Sequence, residues 1–479
     1  MSVLAALPRR VASSYLPGAM PLMSRQSYRW EVRSSLFLPM AVACVEANVV
    51  AVIAKKVFGA SNLSIALLAA APAMSNISSV LWTRFIKGKD RVRAVNGMQA
   101  ALLVCVGAIA AAPVNGWGEA LVVTATLAAR TLLTGIITAR TDIWRNNYPR
   151  SQRARVTGKL LTVAAIVVGA TGGALGVVMD AAYIQSQDAK VLAFRLIYAA
   201  AAALGLAGIW AFSNVRWRSR SAQIKAERDP ASDYATAGAR DMLRVLRDDK
   251  TYRSFMAAQF ALGLPNLAGI PIFILALDAM LTRLHPGAQN YAQTILLTQI
   301  IPLIVPILTI PLWARLLDRT HIVRFRVFHS WTFVLANLLM GLGFWLDNLP
   351  VLYASRVMLG IAYGGGMLAW DLGHHDFARR DLATLYMGIH VTLTGVRGAV
   401  APFLGTLLYS GSLAIPAMAA GGVPVLGDVR FSGASITMPA LGAVGSFFLL
   451  AGGSVIGALM FLRLSRALGR RARTKPGDP

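Results

Sequence analysis

Residues 35–56 read SLFLPMAVACVEANVVAVIAKK, an apolar run interrupted near its middle by the single acid Glu46. A helix of about 20 such residues crosses the hydrocarbon core of a bilayer, about 30 Å thick, and satisfies its own backbone polar groups there. Similar runs recur along the whole chain, and we predict twelve membrane-spanning helices from them. They cover residues 35–56, 62–81, 95–113, 118–140, 159–180, 191–213, 254–279, 291–313, 327–346, 350–370, 384–411 and 437–462.

The composition agrees with this prediction. Of the 479 residues, 56% are hydrophobic and 14% are charged, and the mean hydropathy is +0.57, which is too apolar for a soluble fold. Both cysteines, Cys44 and Cys105, lie inside predicted spans, so neither a disulfide framework nor a thiolate metal site is expected. We therefore predict an all-α integral membrane protein.

Positive charge alternates between the loops. Lys and Arg are concentrated in the N-terminal arm, the even-numbered loops and the C-terminal tail; the main exceptions in the odd-numbered loops are Lys55, Lys56, Lys190, Arg283 and Arg430. By the positive-inside rule, both termini then face the cytoplasm. This topology also explains the net charge of +26, so we expect no nucleic-acid partner. The N-terminus also has the Arg- and Ser-rich composition of a transit peptide, but we favour a basic cytoplasmic arm.

The sixth loop, residues 214–253, is the long polar segment inside the chain and mixes charges of both signs. We interpret it as a linker between six spans and six further spans, with a possible surface helix from Ala231 to Arg247. The predicted organisation is a basic N-terminal arm (1–34), an N-terminal six-helix bundle (35–213), the linker (214–253), a C-terminal six-helix bundle (254–463) and a basic tail (464–479).

The two predicted bundles show internal similarity. A shift of 226 residues places Arg130 of the fourth span on Arg356 of the tenth, and a shift of 231 places Leu81–Arg84 on Leu312–Arg315. Each of the latter segments is followed shortly by an Asp-Arg pair. These landmarks predict a tandem repeat of six helices.

At this level the chain resembles the major facilitator superfamily, over roughly residues 35–463. The resemblance implies two six-helix bundles related as parallel repeats, with a solute path between them. The family's loop between the second and third helices usually carries glycine, Asp-Arg, glycine and further basic residues. Lys87–Arg93, KGKDRVR, keeps the Asp-Arg pair but has Arg93 in place of the second glycine, and the copy Ala314–Arg319, ARLLDR, lacks the glycines. The fourth span of proton-coupled exporters in this family often has an arginine followed four residues later by glycine. Here that spacing occurs in the tenth span, at Arg356 and Gly360, whereas in the fourth span Arg130 precedes Gly135 by five.

Ionisable groups at membrane depth are the candidates for function, because each costs several kcal/mol unless it has a partner or a wet cavity. Glu46 lies in the first span and Arg130 in the fourth, and the resemblance implies that both spans line the central cavity. Low dielectric favours a neutral carboxylate, whereas a nearby arginine favours the charged form. Glu46 is therefore a candidate proton carrier controlled by Arg130 and by the solute. The alternative is a static ion pair that holds two helices together.

A second polar patch lies in the C-terminal bundle, at Arg356, His390, Thr394 and Arg397. His390 and Arg397 are seven residues apart and share one helical face with Thr394, as a polar path requires. Alternatively, Arg397 anchors a helix contact and His390 donates to a backbone carbonyl.

Charged residues of the cytoplasmic loops are candidates for a gate. We expect Asp90 and Arg91, and Asp318 and Arg319, to pair across the cytoplasmic mouth when the protein faces outward. The alternative is that these are solvated charges that only set the membrane topology. The segment that begins at Asp371 contains two adjacent histidines, but such pairs rarely coordinate one ion, so we expect no metal site. Asp371 and Asp381 are expected to act in gating or in capping the eleventh helix.

The prediction for function is a secondary active transporter of a small organic solute, working by alternating access and coupled to protons through Glu46. Because Arg130, Arg356 and Arg397 outnumber Glu46, an anionic or zwitterionic solute is favoured. No nucleotide-binding Gly-rich loop followed by Lys is present, so we expect no cofactor, with the proton gradient as energy source. We expect a monomer in the lipid bilayer of the cell membrane, the bacterial inner membrane fitting best.

The sequence leaves three alternative functions open. The first is a proton-coupled exporter of amphipathic drugs or metabolites. A membrane-embedded transferase would need a carboxylate cluster in a large extracytoplasmic loop, but residues 412–436 contain only Asp428 and Arg430 as charged groups, so no enzyme is predicted. A sensor or scaffold without transport would not need costly buried charges.

Overall fold

The computed structural model describes residues 15–228, 239–374, 376–378, 382–412, 417–418, 424–425 and 438–473. In this part of the chain almost all of the secondary structure is helical. The sheet within it is a two-residue antiparallel pairing of Ala417–Met418 with Pro424–Val425. The prediction of an all-α architecture is thus confirmed for the body of the protein.

The helices fall into a first half, a linker and a second half. The first half contains α1 (Arg25–Cys44), α2 (Ala47–Phe58), α3 (Asn62–Ile77), α4 (Ser79–Ile86), α5 (Arg91–Ala110), α6 (Gly116–Asn147), α7 (Arg150–Gln185) and α8 (Gln187–Ser213). The linker contains α9 (Arg220–Arg228) and α10 (Ala239–Asp248). The second half contains α11 (Lys250–Leu284), α12 (Tyr291–Ile295), a π-helical segment (Leu296–Ile300), α13 (Ile301–Leu317), α14 (Ile322–Trp345), α15 (Leu349–Leu372), α16 (Ala383–Ser410) and α17 (Gly442–Arg473).

Within the described residues, ten helices are long and apolar enough to cross a membrane, and α1 with α2 forms an eleventh span bent by 41°. This is fewer than the twelve predicted. The predicted second span divides into α3, only 16 residues long, and the short α4. The hydroxyls of Ser75 and Ser78 donate to the carbonyls of Pro72 and Ser75, which competes with continued helix at this point.

The helices extend beyond the apolar runs into the basic segments that were predicted to be loops. For example, α1 begins at Arg25, within the predicted arm. Arg326 was assigned to the eighth loop, but it lies in α14 and is only 5% exposed. A prediction from apolar runs alone ends these helices too early, because arginine is a good helix former and its long side chain can reach inward from a helix end.

The linker contains two helices where one was predicted. The second, α10, agrees with the end of the predicted surface helix Ala231–Arg247, whereas residues 231–238 lie outside the described residues. The first, α9, was not predicted.

Two large hydrophobic clusters and a small third one around Tyr28 and Tyr148 form the core of the described residues. The two large clusters correspond to the two halves. One is drawn mainly from residues 38–217 and the other from residues 252–461. Ile274, Leu275, Tyr291 and Ile295 of the second half belong to the first cluster, so the two halves meet there. They also meet where α16 crosses α3, because Gly398 has no Cβ to collide with Ala73.

We call the side on which α1 begins the termini side, and the side on which α2 joins α3 the far side. Because the long helices alternate in direction, the connections α5–α6, α7–α8, α11–α12 and α14–α15 all lie on the far side.

Candidate functional site

The first membrane span is broken at Glu46. This residue has extended backbone angles (φ −68°, ψ 127°) and is the N-cap of α2, so its carboxylate lies at the positive end of that helix. The Arg130 guanidinium donates from Nη1 to Oε2 of Glu46 across 2.8 Å. The two side chains are 13% and 24% exposed, respectively. The structure thus brings the two predicted residues together, and their role in proton transfer stays a prediction.

The span that faces this break is irregular as well. It contains the π-helical segment Leu296–Ile300, and such segments are often found at functional sites. Two residues after Glu46, the Asn48 amide donates to the carbonyl of Thr298 (3.1 Å) and to Oε1 of Gln299 (2.9 Å). The irregular backbones of the two halves are therefore joined directly by one side chain.

Arg356 approaches the same segment from within the second half. Its Nε donates to the carbonyl of Leu297 (2.7 Å) and its Nη2 to that of Thr298 (3.3 Å), and the guanidinium lies 4.2 Å from the centre of the Phe273 ring. The residue is 7% exposed. These contacts hold the π-helical segment in place, and direct contact between Arg356 and a solute stays a prediction.

The far side is closed by Lys56. Its ammonium lies 2.8 Å from the carboxylate of Asp278 in α11 and donates to the backbone carbonyl of Gln289. The Lys56 side chain is 4% exposed, whereas that of Asp278 is 21% exposed. From the sequence, Lys56 was identified only as one of the few basic residues in the odd-numbered loops, which are otherwise poor in lysine and arginine.

A second far-side contact comes from Asp180 of α7. Its carboxylate accepts hydrogen bonds from the backbone amides of Tyr291 (2.7 Å) and Ala292 (2.8 Å), at the start of α12. The helices approach closely because Gly176 has no side chain; a Cβ there would lie 2.7 Å from the Cα of Ala292. A carboxylate is favoured at this positive helix end.

Among the described residues, each hydrogen bond or ion pair that joins α1–α8 to α11–α17 uses Asn48, Lys56 or Asp180. These residues lie at the depth of the helix break or on the far side. In the part of the chain that the structure describes, the polar contacts between the halves therefore lie at the helix break and on the far side.

In the polar patch of the second half, Arg397 donates to the carbonyl of Gln259 in α11 and lies against Gly263, whose lack of a side chain makes room for it. His390 is 1% exposed and packs edge-on against Trp370, with ring centres 4.5 Å apart. Thr394 lies half-buried between Arg397 and His390 along α16. His390 and Arg397 thus face neighbouring helices of the second half, and Nε of Arg397 and Nδ1 of His390 have no hydrogen-bond partner among the described residues.

Sequence reasoning missed Arg326 and His329, which extend this patch. Nη1 of Arg326 lies 2.8 Å from Nδ1 of His329, and Nε2 of His329 lies 2.7 Å from the carbonyl of Ala362. Because a guanidinium can only donate, Nδ1 must accept, and the hydrogen of the ring is on Nε2. Arg326 and Arg397 are close enough to interact electrostatically.

The first predicted gate pair is engaged within the first half and the linker. Asp90 caps α5 by accepting from the backbone amide of Val92 (3.0 Å), and its carboxylate lies 2.7 Å from Arg220. The buried Arg91 lies 2.9 Å from Asp142 and 2.7 Å from Glu227 of α9.

The second predicted gate pair differs from the first. Asp318 and Arg319 are exposed at the end of α13, and neither has an ion pair with another described residue. The structural counterpart of Asp90 is His321, which caps α14. Asp371 lies in the last turn of α15; its side chain, like the whole of Asp381, falls outside the described residues.

Glu31 was not predicted and is fully buried in α1. Its carboxylate accepts from the Tyr148 hydroxyl (2.7 Å), the Trp144 indole (2.6 Å) and the Arg140 guanidinium (3.3 Å). Burial, together with the negative charge of Glu31, raises the pKa of Tyr148, which therefore stays a donor. Glu31 lies among arginines in the sequence, and it was therefore assigned to the solvated N-terminal arm.

The family model of the Major Facilitator Superfamily matches residues 11–402. No curated protein sequence matches the chain. Among solved structures, the nucleoside transporter NupG is 11% identical, with 93% of this chain and 99% of that chain covered and a TM-score of 0.62. A POT family transporter in complex with a thioalcohol conjugated peptide is 12% identical, with 94% and 99% covered and a TM-score of 0.64. The xylose transporter XylE from E. coli is 10% identical, with 92% and 98% covered and a TM-score of 0.56.

Proposed function

The chain belongs to the major facilitator superfamily, and from that premise we propose that it is a secondary active transporter of a small organic solute, working by alternating access. It is a multi-pass membrane transporter rather than an enzyme. The proposal includes twelve spans in two six-helix bundles, cytoplasmic termini, a monomeric state and a bacterial inner membrane. The positive charge of the termini side supports this orientation.

Alternating access is supported by the few polar contacts between the halves. Closure of the far side depends on Lys56 and Asp180, and both contacts can break and re-form as the halves rock. At the centre, the break at Glu46 faces the π-helical segment Leu296–Ile300. Broken helices at the interface between repeats are typical of transporter binding sites.

The observation that carries the proposal is the Glu46–Arg130 pair. It is partly exposed, it lies at the helix break, and the contact between the halves made by Asn48 is two residues away. A proton on Glu46 removes the negative charge that holds Arg130. A solute anion could then bind Arg130 in its place, so proton and solute binding are linked at one arginine.

The charge of the described polar groups supports an anionic or zwitterionic solute. Arg130 and Arg397 are both partly exposed, and Arg326 extends the second patch. Glu46 supplies a carboxylate at the helix break. Guanidinium groups bind carboxylates and phosphates through paired hydrogen bonds.

The test uses the protein in liposomes that enclose a pH-sensitive dye, screened with pools of anionic and zwitterionic solutes. We expect solute-dependent proton flux in the wild type and its loss in Glu46→Gln, with solute-for-solute exchange retained. Glu119→Gln is the matched control, because Glu119 is a buried glutamate of the first half whose Oε1 accepts from the amide of Ser61 at 2.8 Å. Proton flux that survives in Glu46→Gln would show that the pair with Arg130 is structural only.

A further inference from the structure

A cavity of about 550 Å³ lies on the termini side, between the start of α5 and the segment that follows α8. Its lining includes Arg93 and Asn96 of α5, Ser213 at the end of α8, and Arg216, Trp217 and Arg220. None of these residues belongs to the path between the halves, and the transport proposal does not use the cavity.

The cavity has an excess of positive charge. Three arginines line it, and Asp90 is the one acid among its lining residues, 2.7 Å from Arg220 and 3.6 Å from Arg93. Arg216 is exposed, and its guanidinium has no hydrogen bond or ion pair with any residue that the structure describes. The net charge of +2 suits a phosphate group, which arginine binds through paired hydrogen bonds.

Two buried polar atoms of the lining are without partners. Nε1 of Trp217 and Oδ1 of Asn96 make no hydrogen bond within the described part of the chain, although Trp217 is only 7% exposed. Buried polar groups are nearly always paired in native proteins. Both atoms are enclosed in the wall of the cavity, so a ligand reaches them only if the surrounding side chains move aside.

Apolar, exposed surface continues from the cavity toward the membrane centre. On α8, Leu206 and Trp210 are 60% and 62% exposed, and they lie on the same helical face as Ser213, at positions i, i+4 and i+7. On α5, Val104 is 72% exposed. A free phosphate would not use this surface, whereas the acyl chains of a lipid would cover it.

We propose that the cavity binds the phosphate and glycerol of an anionic phospholipid from the leaflet on the termini side, with the acyl chains lying along α5 and α8. Arg93 and Arg216 contact the phosphate, and Trp217 lies in the wall of the headgroup site. Basic pockets between membrane helices bind such headgroups.

The test measures thermal stabilisation of the detergent-solubilised full chain by phosphatidylglycerol, phosphatidylcholine and inorganic phosphate. We expect phosphatidylglycerol to bind about tenfold more tightly than phosphatidylcholine, and the variant Arg93→Gln/Arg216→Gln to lose that preference. The control Arg324→Gln/Arg466→Gln removes two exposed arginines from the termini side of the second half and should keep the preference.

Two results would overturn the proposal. One is an unchanged preference for phosphatidylglycerol in Arg93→Gln/Arg216→Gln. The other is equal stabilisation by inorganic phosphate, which would identify a site for a soluble anion. A second readout is local: brominated phosphatidylglycerol should quench wild-type tryptophan fluorescence more than that of Trp217→Phe, and equal quenching would place the lipid elsewhere.

Discussion

The amide nitrogen of Asn48 lies 2.9 Å from Oε1 of Gln299, and this hydrogen bond joins the helix break of the first half to the π-helical segment of the second. The same amide also donates to the carbonyl of Thr298. Any rocking of the halves about this level must stretch or exchange these bonds. The hydrogen bonds of Asn48 therefore depend on the relative position of the halves and help to fix that position.

The first prediction concerns this contact. Because rocking must break these bonds, Asn48→Ala should raise the rate of solute exchange roughly fivefold, while costing only about 1–2 kcal/mol of stability, since the lost bonds are between neutral groups. The measurements are exchange in liposomes and thermal unfolding in detergent. Asn266→Ala is the control, since Asn266 bonds to Leu262 and Asn337 within the second half. Wild-type exchange in Asn48→Ala would contradict the assignment.

The second prediction concerns closure of the far side. Lys56→Gln leaves the partly buried Asp278 without its cation, which should destabilise the closed far side by about 2–3 kcal/mol and shift the population toward an open one. Spin labels at Gln187→Cys and His285→Cys, on the far-side ends of the two halves, should show a longer distance. The swap Lys56→Asp/Asp278→Lys should restore part of the short-distance population, and an unchanged distribution in Lys56→Gln would contradict this role.

The third prediction concerns the linker. Glu227 of α9 binds the buried Arg91 through both oxygens and accepts from the amide of Gly88 at 2.7 Å. Glu227→Gln weakens these bonds, so the Gly88 amide should exchange its hydrogen roughly 10- to 100-fold faster in deuterated buffer. Asp248→Asn, an exposed site in α10, should leave that exchange unchanged. Equal protection in Glu227→Gln would show that α9 is held by other contacts.

The fourth prediction is a pH dependence. The raised pKa of Tyr148, caused by burial and by Glu31, means that the folded state keeps the phenol proton above about pH 10, where the unfolded chain loses it. The free energy of unfolding therefore falls as pH rises, by up to about 1.4 kcal/mol per pH unit from this group. Tyr148→Phe should be less stable than wild type by about 2 kcal/mol near neutral pH, and the difference should narrow above about pH 10. A constant difference would contradict the assigned pKa.

The sequence was sufficient to predict that Glu46 and Arg130 are functional candidates, because opposite charges in apolar runs stand out. It could not predict the break beside Glu46, since the residues around the break, Val45 and Ala47, include neither proline nor glycine. The π-helical segment is followed directly by Pro302, which has no amide hydrogen to donate to the carbonyl of Thr298, so the sequence did carry a signal for irregular helix there. What the sequence could not show is that Asn48, about 250 positions away, uses this carbonyl and Gln299 as partners.

Charge near a span end was the least reliable signal. Glu31, Arg326 and Lys56 all lie close to the ends of apolar runs, where a solvated loop is the ordinary interpretation. The structure buries all three, because helices continue past the apolar windows and neighbouring helices supply partners. Burial at such positions is decided by tertiary packing, which residue type alone does not specify.

The attachment of α9 to the first half has a consequence for the range of motion. Because Glu227 and Arg228 fasten α9 to the loop at Gly88, the covalent connection between the halves is effectively the chain from Arg228 to Ala239. Eleven residue steps can extend to no more than about 40 Å. That length sets an upper limit on how far the termini-side ends of the two halves can separate. Release of α9 from the first half at Glu227 would lengthen the free connection and raise this limit.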